Sequence, residues 1–175
     1  MKTALEFIYV TRAGSKQIDY VHSSALHEAG HAVLSVVLRR ELLRVSIDRD
    51  ADGDGISEHI PDVSSKRAVV EEIAIMLAGG EAASLWGFVT NTDDDEARAL
   101  CAIRRELSAP NPEETREQIR ACVSEGVQSL KEPICLFALE LFKQRTLGGP
   151  LAASLIRGVV VGPTSLEQCL ASLGF

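Results

Sequence analysis

The fold depends first on residues 23–37, which read SSALHEAGHAVLSVV. Apolar residues recur there at the spacing of one helix face, namely Leu26, Ala29, Val33, Val36 and Val37. Either Ser23 or Ser24 can cap a helix by accepting a hydrogen bond from a free backbone amide. We therefore predict a helix that runs from about residue 23 to Arg39 and buries this face.

The same stretch contains the pattern His-x-x-x-His with a glutamate after the first histidine. Residues four apart lie on one face of a helix, so His27 and His31 can both reach a single ion. Zinc binds neutral imidazole nitrogens, and a catalytic zinc site keeps one position for water. Glu28 is placed to take a proton from that water. The motif predicts a zinc metalloendopeptidase with His27 and His31 as metal ligands and Glu28 as general base.

An alternative is that these three side chains merely decorate a helix without binding an ion. The surrounding helix is otherwise apolar, and polar side chains on a buried face need partners, which favours the metal site. The third ligand is open from the residues alone. The run after His31 lacks the glycine and third histidine of a metzincin. A glutamate from a following helix, Glu71 or Glu72, and an aspartate of the cluster Asp93–Asp95 both remain candidates.

The remainder of the sequence predicts a mainly helical α+β fold in a single domain, residues 1–175. Residues 1–18 are expected to be irregular or to hold a short strand, Leu5 to Val10. Two strands, Leu42–Asp48 and Ile56–Ile60, should form a hairpin around an acidic turn. Further helices are predicted over about 66–86, 93–107, 113–131 and 133–146, followed by a turn at Gly148-Gly149-Pro150 and two short helical segments.

Composition narrows the function classes. A net charge of -7 argues against nucleic acid as a partner. No apolar run approaches the length of a membrane span, and an acid at Glu6 interrupts any signal peptide, so we expect a cytoplasmic protein. The cysteines are far apart and form no CxxC pair: Cys101, Cys122, Cys135 and Cys169. Most of them are expected to be buried, reduced thiols.

Several segments together resemble the FtsH peptidases, membrane-anchored ATP-dependent zinc proteases. Residues 27–33, HEAGHAV, look like the active-site helix of that family, and residues 77–83, LAGGEAA, are similar to its LAGRAAEE helix. Residues 90–99, TNTDDDEARA, resemble its TGASNDLxxA stretch, and residues 136–149 resemble its LxEKETLDG helix end. The resemblance spans about residues 20–158. It implies the FtsH peptidase fold, and it implies Asp95 as the third zinc ligand.

The sequence also departs from that family. Asn91 replaces the glycine of TGAS, and Ala83-Ser84 replaces the glutamate pair. The chain has no room for the AAA+ module or membrane spans, so we expect hydrolysis of peptides or unfolded proteins without ATP-driven unfolding, unless a separate ATPase partner exists. The resemblance implies a ring-forming homo-oligomer. The alternative function is a catalytically inactive, zinc-stabilised adaptor that binds proteins.

Other features receive structural interpretations. Gly79-Gly80 is predicted to be a helix-packing site, and His22 and His59 are predicted to be surface residues, with His59 a weaker candidate for the cleft. The acidic stretch 48–54 fits no EF-hand register and is predicted to be a hairpin turn. The strand Leu42–Asp48 is predicted to border the cleft, where a substrate strand can pair with an exposed sheet edge.

Overall fold

The computed structural model describes residues 16–48, 55–90, 92–160 and 165–175, with side chains from residue 23 onward. The fold is mainly helical with a small antiparallel sheet, which confirms the predicted α+β class. The predicted strand at residues 5–10, the acidic turn and the His22 side chain lie outside the described part of the chain.

The elements follow in chain order as α1 (Lys16–Val37), β1 (Leu42–Ser46), β2 (Ile56–His59), α2 (Lys66–Ser84), α3 (Asp93–Ala102), α4 (Pro112–Ser129), α5 (Lys131–Gln144), β3 (Thr146–Gly148), α6 (Gly149–Val159) and α7 (Ser165–Ser172). One π-helical turn, Ile103–Leu107, continues α3. The predicted helices are all present. The predicted start of α1 is wrong, because the helix already begins at Lys16. Serines can cap a helix, but residues 16–22 before them contain no Gly or Pro, so nothing in that stretch prevents the helix from starting earlier.

The sheet has three strands in the order β2-β1-β3. The predicted hairpin is confirmed, because β1 and β2 pair antiparallel. The third strand replaces the helix end and turn predicted near residue 148. Arg145 ends α5 with a left-handed backbone (φ 66°), and Leu147 then pairs with Val45. Consequently β1 is the central strand, and β2 lies at an edge of the sheet as far as residues 16–48, 55–90, 92–160 and 165–175 form it.

The interface between α1 and α2 carries the centre of the hydrophobic core. Gly30 allows the two helices to approach closely, since a Cβ there would lie 2.5 Å from the Ala78 carbonyl oxygen. The predicted apolar stripe of α2 is buried, comprising Val69, Val70, Ile73 and Leu77. Helix α1 also packs against α5. The face of α1 that carries the two histidines is therefore held against a tightly packed neighbour.

The cysteines differ from the prediction. Cys122 and Cys169 form a disulfide that joins α4 to α7, so the expectation of reduced thiols is wrong for these two. They are 47 residues apart in sequence, and only the packing of α7 on α4 brings them together. Cys135 is free and buried as predicted, whereas Cys101 is free and exposed.

A bilayer-crossing helix is not found among the described residues, where no helix combines sufficient length with sufficient hydropathy. The cytoplasmic location stays a prediction.

Candidate metal centre

Three side chains from two helices converge on one point. His27 and His31 lie one turn apart on α1, and their Nε2 atoms are 2.9 Å apart. Asp95, in the first turn of α3, places Oδ2 3.2 Å from the Nε2 of His27 and 3.3 Å from that of His31. These residues form a cluster that could hold a metal ion. The structure thus brings together the two motif histidines and the aspartate implied by the FtsH resemblance.

The spacing of the three donor atoms fits zinc. Zinc–nitrogen and zinc–oxygen bonds of about 2.0–2.2 Å in a tetrahedron place neighbouring ligand atoms about 3.3 Å apart. The observed separations of 2.9, 3.2 and 3.3 Å lie close to that value. Two imidazoles and one carboxylate also suit zinc better than calcium or magnesium, which prefer oxygen ligands. Three protein ligands leave one tetrahedral position for water or substrate.

The second nitrogen of each imidazole is oriented by the protein. The Nδ1 of His31 lies 2.7 Å from the carbonyl oxygen of Ile75, which can only accept a hydrogen bond. Nδ1 therefore carries a hydrogen, and in the neutral ring Nε2 presents its lone pair to the cluster, as a metal ligand requires. The Nδ1 of His27 lies 3.3 Å from the hydroxyl of Thr90.

The electrostatics of the cluster favour a positive charge. Burial lowers the pKa of His31, but hydrogen bonding and charge from Asp95, with a further contribution from the charge of Glu28, outweigh it and raise the pKa to about 9. For Asp95, burial acts in the other direction and raises the pKa of the carboxyl group. Hydrogen bonds from His27 and His31 outweigh burial and hold this pKa well below its usual range. In the absence of a metal a proton is therefore stabilised where a cation would sit.

Glu28 is buried beside the cluster and lines the same cleft. Its side chain passes Gly55 at the start of the β2 segment, where an added Cβ would lie 2.9 Å from both Cγ and Oε1 of Glu28. A glycine at residue 55 thus leaves room for the carboxylate. The Glu28 side chain therefore shares the cleft with the three donor atoms.

Gly79 has a function that the sequence did not indicate. A Cβ at this position would lie 2.7 Å from the Nε2 of His27 and still closer to the Nε2 of His31. The predicted helix-packing role of Gly79-Gly80 is thus incomplete, because Gly79 contacts the candidate ligands themselves. Gly80 instead faces Thr92, before α3. No spacing rule in the sequence reveals such a contact, which depends on how α2 crosses α1.

The cleft has a volume of about 400 Å³ and lies between α1, α2, β2, α3 and the loop that contains Val89 and Thr90. The prediction that the strand Leu42–Asp48 borders it is wrong. That strand is β1, which is paired on both sides, and the cleft is lined instead by residues of the β2 segment, including Gly55, Ser57 and His59. The third strand, which the sequence did not predict, places β1 at the centre.

The alternative ligands Glu71 and Glu72 are engaged elsewhere. Glu72 is buried and binds Arg40, the imidazole of His59 and the backbone amide of Asp62. Glu71 pairs with Arg40 and Arg67.

Neither glutamate belongs to the cluster of His27, His31 and Asp95. Asp93 and Asp94 are exposed in the first turn of α3.

Ion pairs of Glu96, the residue after Asp95, anchor the segment of α3 that carries Asp95. Glu96 accepts two hydrogen bonds from Arg120 of α4, at 2.5 and 2.6 Å, and also pairs with Arg116. Arg120 in addition approaches Glu81 of α2 at 3.8 Å. Because Glu96 follows Asp95 directly, these contacts fix the helix turn that presents Asp95 to the histidines.

No family model matches the sequence of the chain, and no curated protein is significantly similar to it.

Proposed function

We propose that this protein is a zinc-dependent endopeptidase with His27, His31 and Asp95 as zinc ligands and Glu28 as general base. The observation that supports the proposal is the convergence of two imidazole nitrogens and one carboxylate oxygen, at zinc-like separations, beside a buried glutamate in a cleft. A helix that needed only packing would gain nothing from placing three polar groups together there.

Each side chain has a role in peptide hydrolysis. Zinc, when bound, lowers the pKa of water and polarises the peptide carbonyl. The Glu28 carboxylate accepts the proton of the attacking water and later delivers it to the leaving amine. The Ile75 carbonyl oxygen holds the His31 ring in the tautomer that exposes Nε2 to the metal. Gly55 and Gly79 leave the space in which these groups meet.

The substrate in this proposal is a peptide or an unfolded protein in an extended conformation. Among the strands of the described residues, β2 lies at an edge of the sheet and lines the cleft, so a substrate strand can add to it through backbone hydrogen bonds. Gly55 lies beside Glu28, which supports cleavage of the substrate at this end of β2. The FtsH resemblance extends the proposal to a homo-oligomer and to a separate ATPase as partner.

The experiment is the substitution Glu28→Gln, which keeps the shape and removes the base. We expect hydrolysis of an unfolded, dye-labelled protein to fall by at least about 10²-fold, the usual contribution of a general base. Zinc content and the circular dichroism spectrum should not change. Glu125→Gln, an exposed position on α4, is the matched control and should hydrolyse normally.

Two results would contradict the proposal. Unchanged hydrolysis by pure Glu28→Gln protein would exclude Glu28 as the base. No hydrolysis of any unfolded substrate by the zinc-loaded wild type would favour the alternative of an inactive, zinc-stabilised adaptor.

A further inference from the structure

Two polar atoms on β2 lack a partner within the described residues. Ser57 Oγ is buried and makes no hydrogen bond there. His59 uses Nε2 to bind Glu72 at 2.7 Å, and no hydrogen bond to its Nδ1 occurs among the described residues. Both residues line the cleft. A buried hydroxyl without a partner is unfavourable, so a ligand that accepts a hydrogen bond from Ser57 gains free energy on binding.

The hydrogen-bonding character of His59 follows from Glu72. Burial raises the pKa of Glu72, but hydrogen bonds from His59, from Arg40 and from the Asp62 amide outweigh it, and the pKa lies below its ordinary value. The carboxylate is therefore ionised and can only accept hydrogen bonds. The Nε2 of His59 must donate to it, so in the neutral ring Nδ1 is an acceptor.

The side chains of Ser57 and His59 lie on one side of β2, and their distance along the strand from Gly55 relates them to the candidate metal centre. Alternate residues of a strand point to the same side, which groups Ser57 and His59. Gly55, which marks the position of Glu28, lies two and four residues earlier, or about 7 and 13 Å along the strand. A peptide paired with β2 would place a side chain about 4.5–5.5 Å from one of these residues and diagonal to the other.

We propose that Ser57 and His59 form a specificity subsite for the carboxamide side chain of Gln or Asn, two to four residues from the scissile bond; this inference rests on the proposed peptidase function. A carboxamide satisfies both atoms at once, because its NH₂ group donates to Nδ1 of His59 and its oxygen accepts from the Ser57 hydroxyl. A carboxylate offers no donor to Nδ1. An apolar side chain leaves the buried hydroxyl of Ser57 without a partner.

The test uses peptides that differ in one residue, Gln, Glu, Met or Lys, carried in turn at each position within four residues of the cleaved bond. At one position we expect kcat/KM for Gln to exceed that for the similarly sized Met and Glu by about 10-fold or more, the value of one or two hydrogen bonds. His59→Leu should bring the Gln-to-Met ratio near one. Ser57→Ala, which removes only a hydroxyl, should lower it in part.

A matched control lies on the same strand. Glu58 pairs with Arg44 and is absent from the cleft lining, so Glu58→Gln should keep the wild-type preference for Gln. Thermal unfolding establishes that each variant is folded before its preference is measured. A reduced preference in Glu58→Gln equal to that in His59→Leu would contradict the subsite.

The outcomes separate the subsite from the peptidase proposal. If all four peptides are cleaved equally at every position, or if Lys is preferred, the carboxamide subsite is wrong while the peptidase function stands. If none is cleaved, calorimetric binding of the same peptides to the zinc-loaded Glu28→Gln protein decides the matter. Tighter binding of the Gln peptide supports the subsite, and equal binding overturns it.

Discussion

Two buried polar clusters lie near the interface of α1 and α2, and they differ in where their positive charge comes from. The arginine cluster consists of Arg40, Glu72 and His59, and its cation is part of the chain. The histidine cluster consists of His27, His31 and Asp95, and it contains no Lys or Arg. In the arginine cluster both oxygens of Glu72 receive donated hydrogen bonds. The histidine cluster gathers a carboxylate oxygen and two imidazole nitrogens at one point.

The contrast shows what a folded chain leaves for a ligand to complete. Buried charges are stable when they are paired and hydrogen-bonded, and the arginine cluster meets that requirement by itself. The histidine cluster meets it only by taking up positive charge, which is why the pKa of His31 is raised to about 9. A bound metal ion supplies the same charge and uses all three donor atoms. The first cluster is thus expected to serve stability, and the second to serve binding.

The largest effect should follow removal of the carboxylate of the histidine cluster. Apparent zinc-binding free energies of about 10–16 kcal/mol are shared among four ligands in zinc-finger sites, or about 2.5–4 kcal/mol each, so Asp95→Asn should weaken zinc affinity by about 100- to 1,000-fold. Competition with a chromophoric chelator measures it on protein that circular dichroism shows to be folded. The neighbouring Asp94→Asn is the control, because Asp94 lines the cleft outside the cluster. Equal losses in both variants would mean that Asp95 is not a ligand.

The arginine cluster should respond in stability instead. Glu72→Gln removes the buried carboxylate that pairs with Arg40, and breaking a buried ion pair costs about 3 kcal/mol or more in the free energy of unfolding. Glu71→Gln is the matched control, since Glu71 binds the same arginine from a more exposed position and should cost about 1 kcal/mol or less. Urea unfolding of the metal-free protein measures both. If Glu72→Gln lowered the free energy of zinc binding more than the free energy of unfolding, the arginine cluster would not serve mainly stability.

The effect of Glu72→Gln should also depend on pH. The pKa of Glu72 in the folded protein lies below its ordinary value of 4.5, so the folded state favours the ionised form. The stabilisation is fully present above pH 4.5 and is lost as the pH falls through the folded pKa. The difference in unfolding free energy between wild type and Glu72→Gln should therefore shrink below about pH 4.5. A difference that is constant from pH 7 to pH 3 would exclude this ion pair as its cause.

Much of the fold could be predicted because most elements are long and periodic. The stripe of α2 and the hairpin of β1 and β2 were read from apolar spacing alone. Strand β3 was missed because three residues carry no period, and its formation depends on pairing with β1, about 100 residues earlier in the chain. The missed strand changed the functional interpretation, since it made β1 central and left β2 to border the cleft.

The site was predictable where its residues are close in sequence. His27, Glu28 and His31 follow from helix geometry, whereas Asp95 came only from the family resemblance. The roles of Gly79 and the pair of His59 with Glu72 arise from the crossing of α1 and α2 and from the docking of β2, which local patterns do not encode. Such contacts join residues 13 to about 50 positions apart. A glycine and a histidine at these positions belong to no sequence pattern that predicts the contacts they make.

The smallest predicted effect on zinc affinity comes from a substitution that displaces the two imidazoles and leaves the three ligand residues unchanged. Gly79→Ala would push a methyl group against both imidazoles, so zinc affinity should fall by about 10–100-fold, as when ligand orientation is disturbed. Stability without metal should change little, because alanine is favoured over glycine inside a helix by roughly 0.5–1 kcal/mol and offsets part of the strain.

Gly80→Ala makes the same change one residue later, where the methyl group meets the Thr92 side chain instead. It shares the gain in helix propensity, so a lower zinc affinity in Gly79→Ala alone, measured by chelator competition, would be due to displaced imidazoles. Equal zinc affinity in the two variants would mean that the metal does not require the observed positions of both rings. Because neither glycine carries a donor atom, this pair tests whether the space that α2 leaves for the rings is itself part of the metal centre.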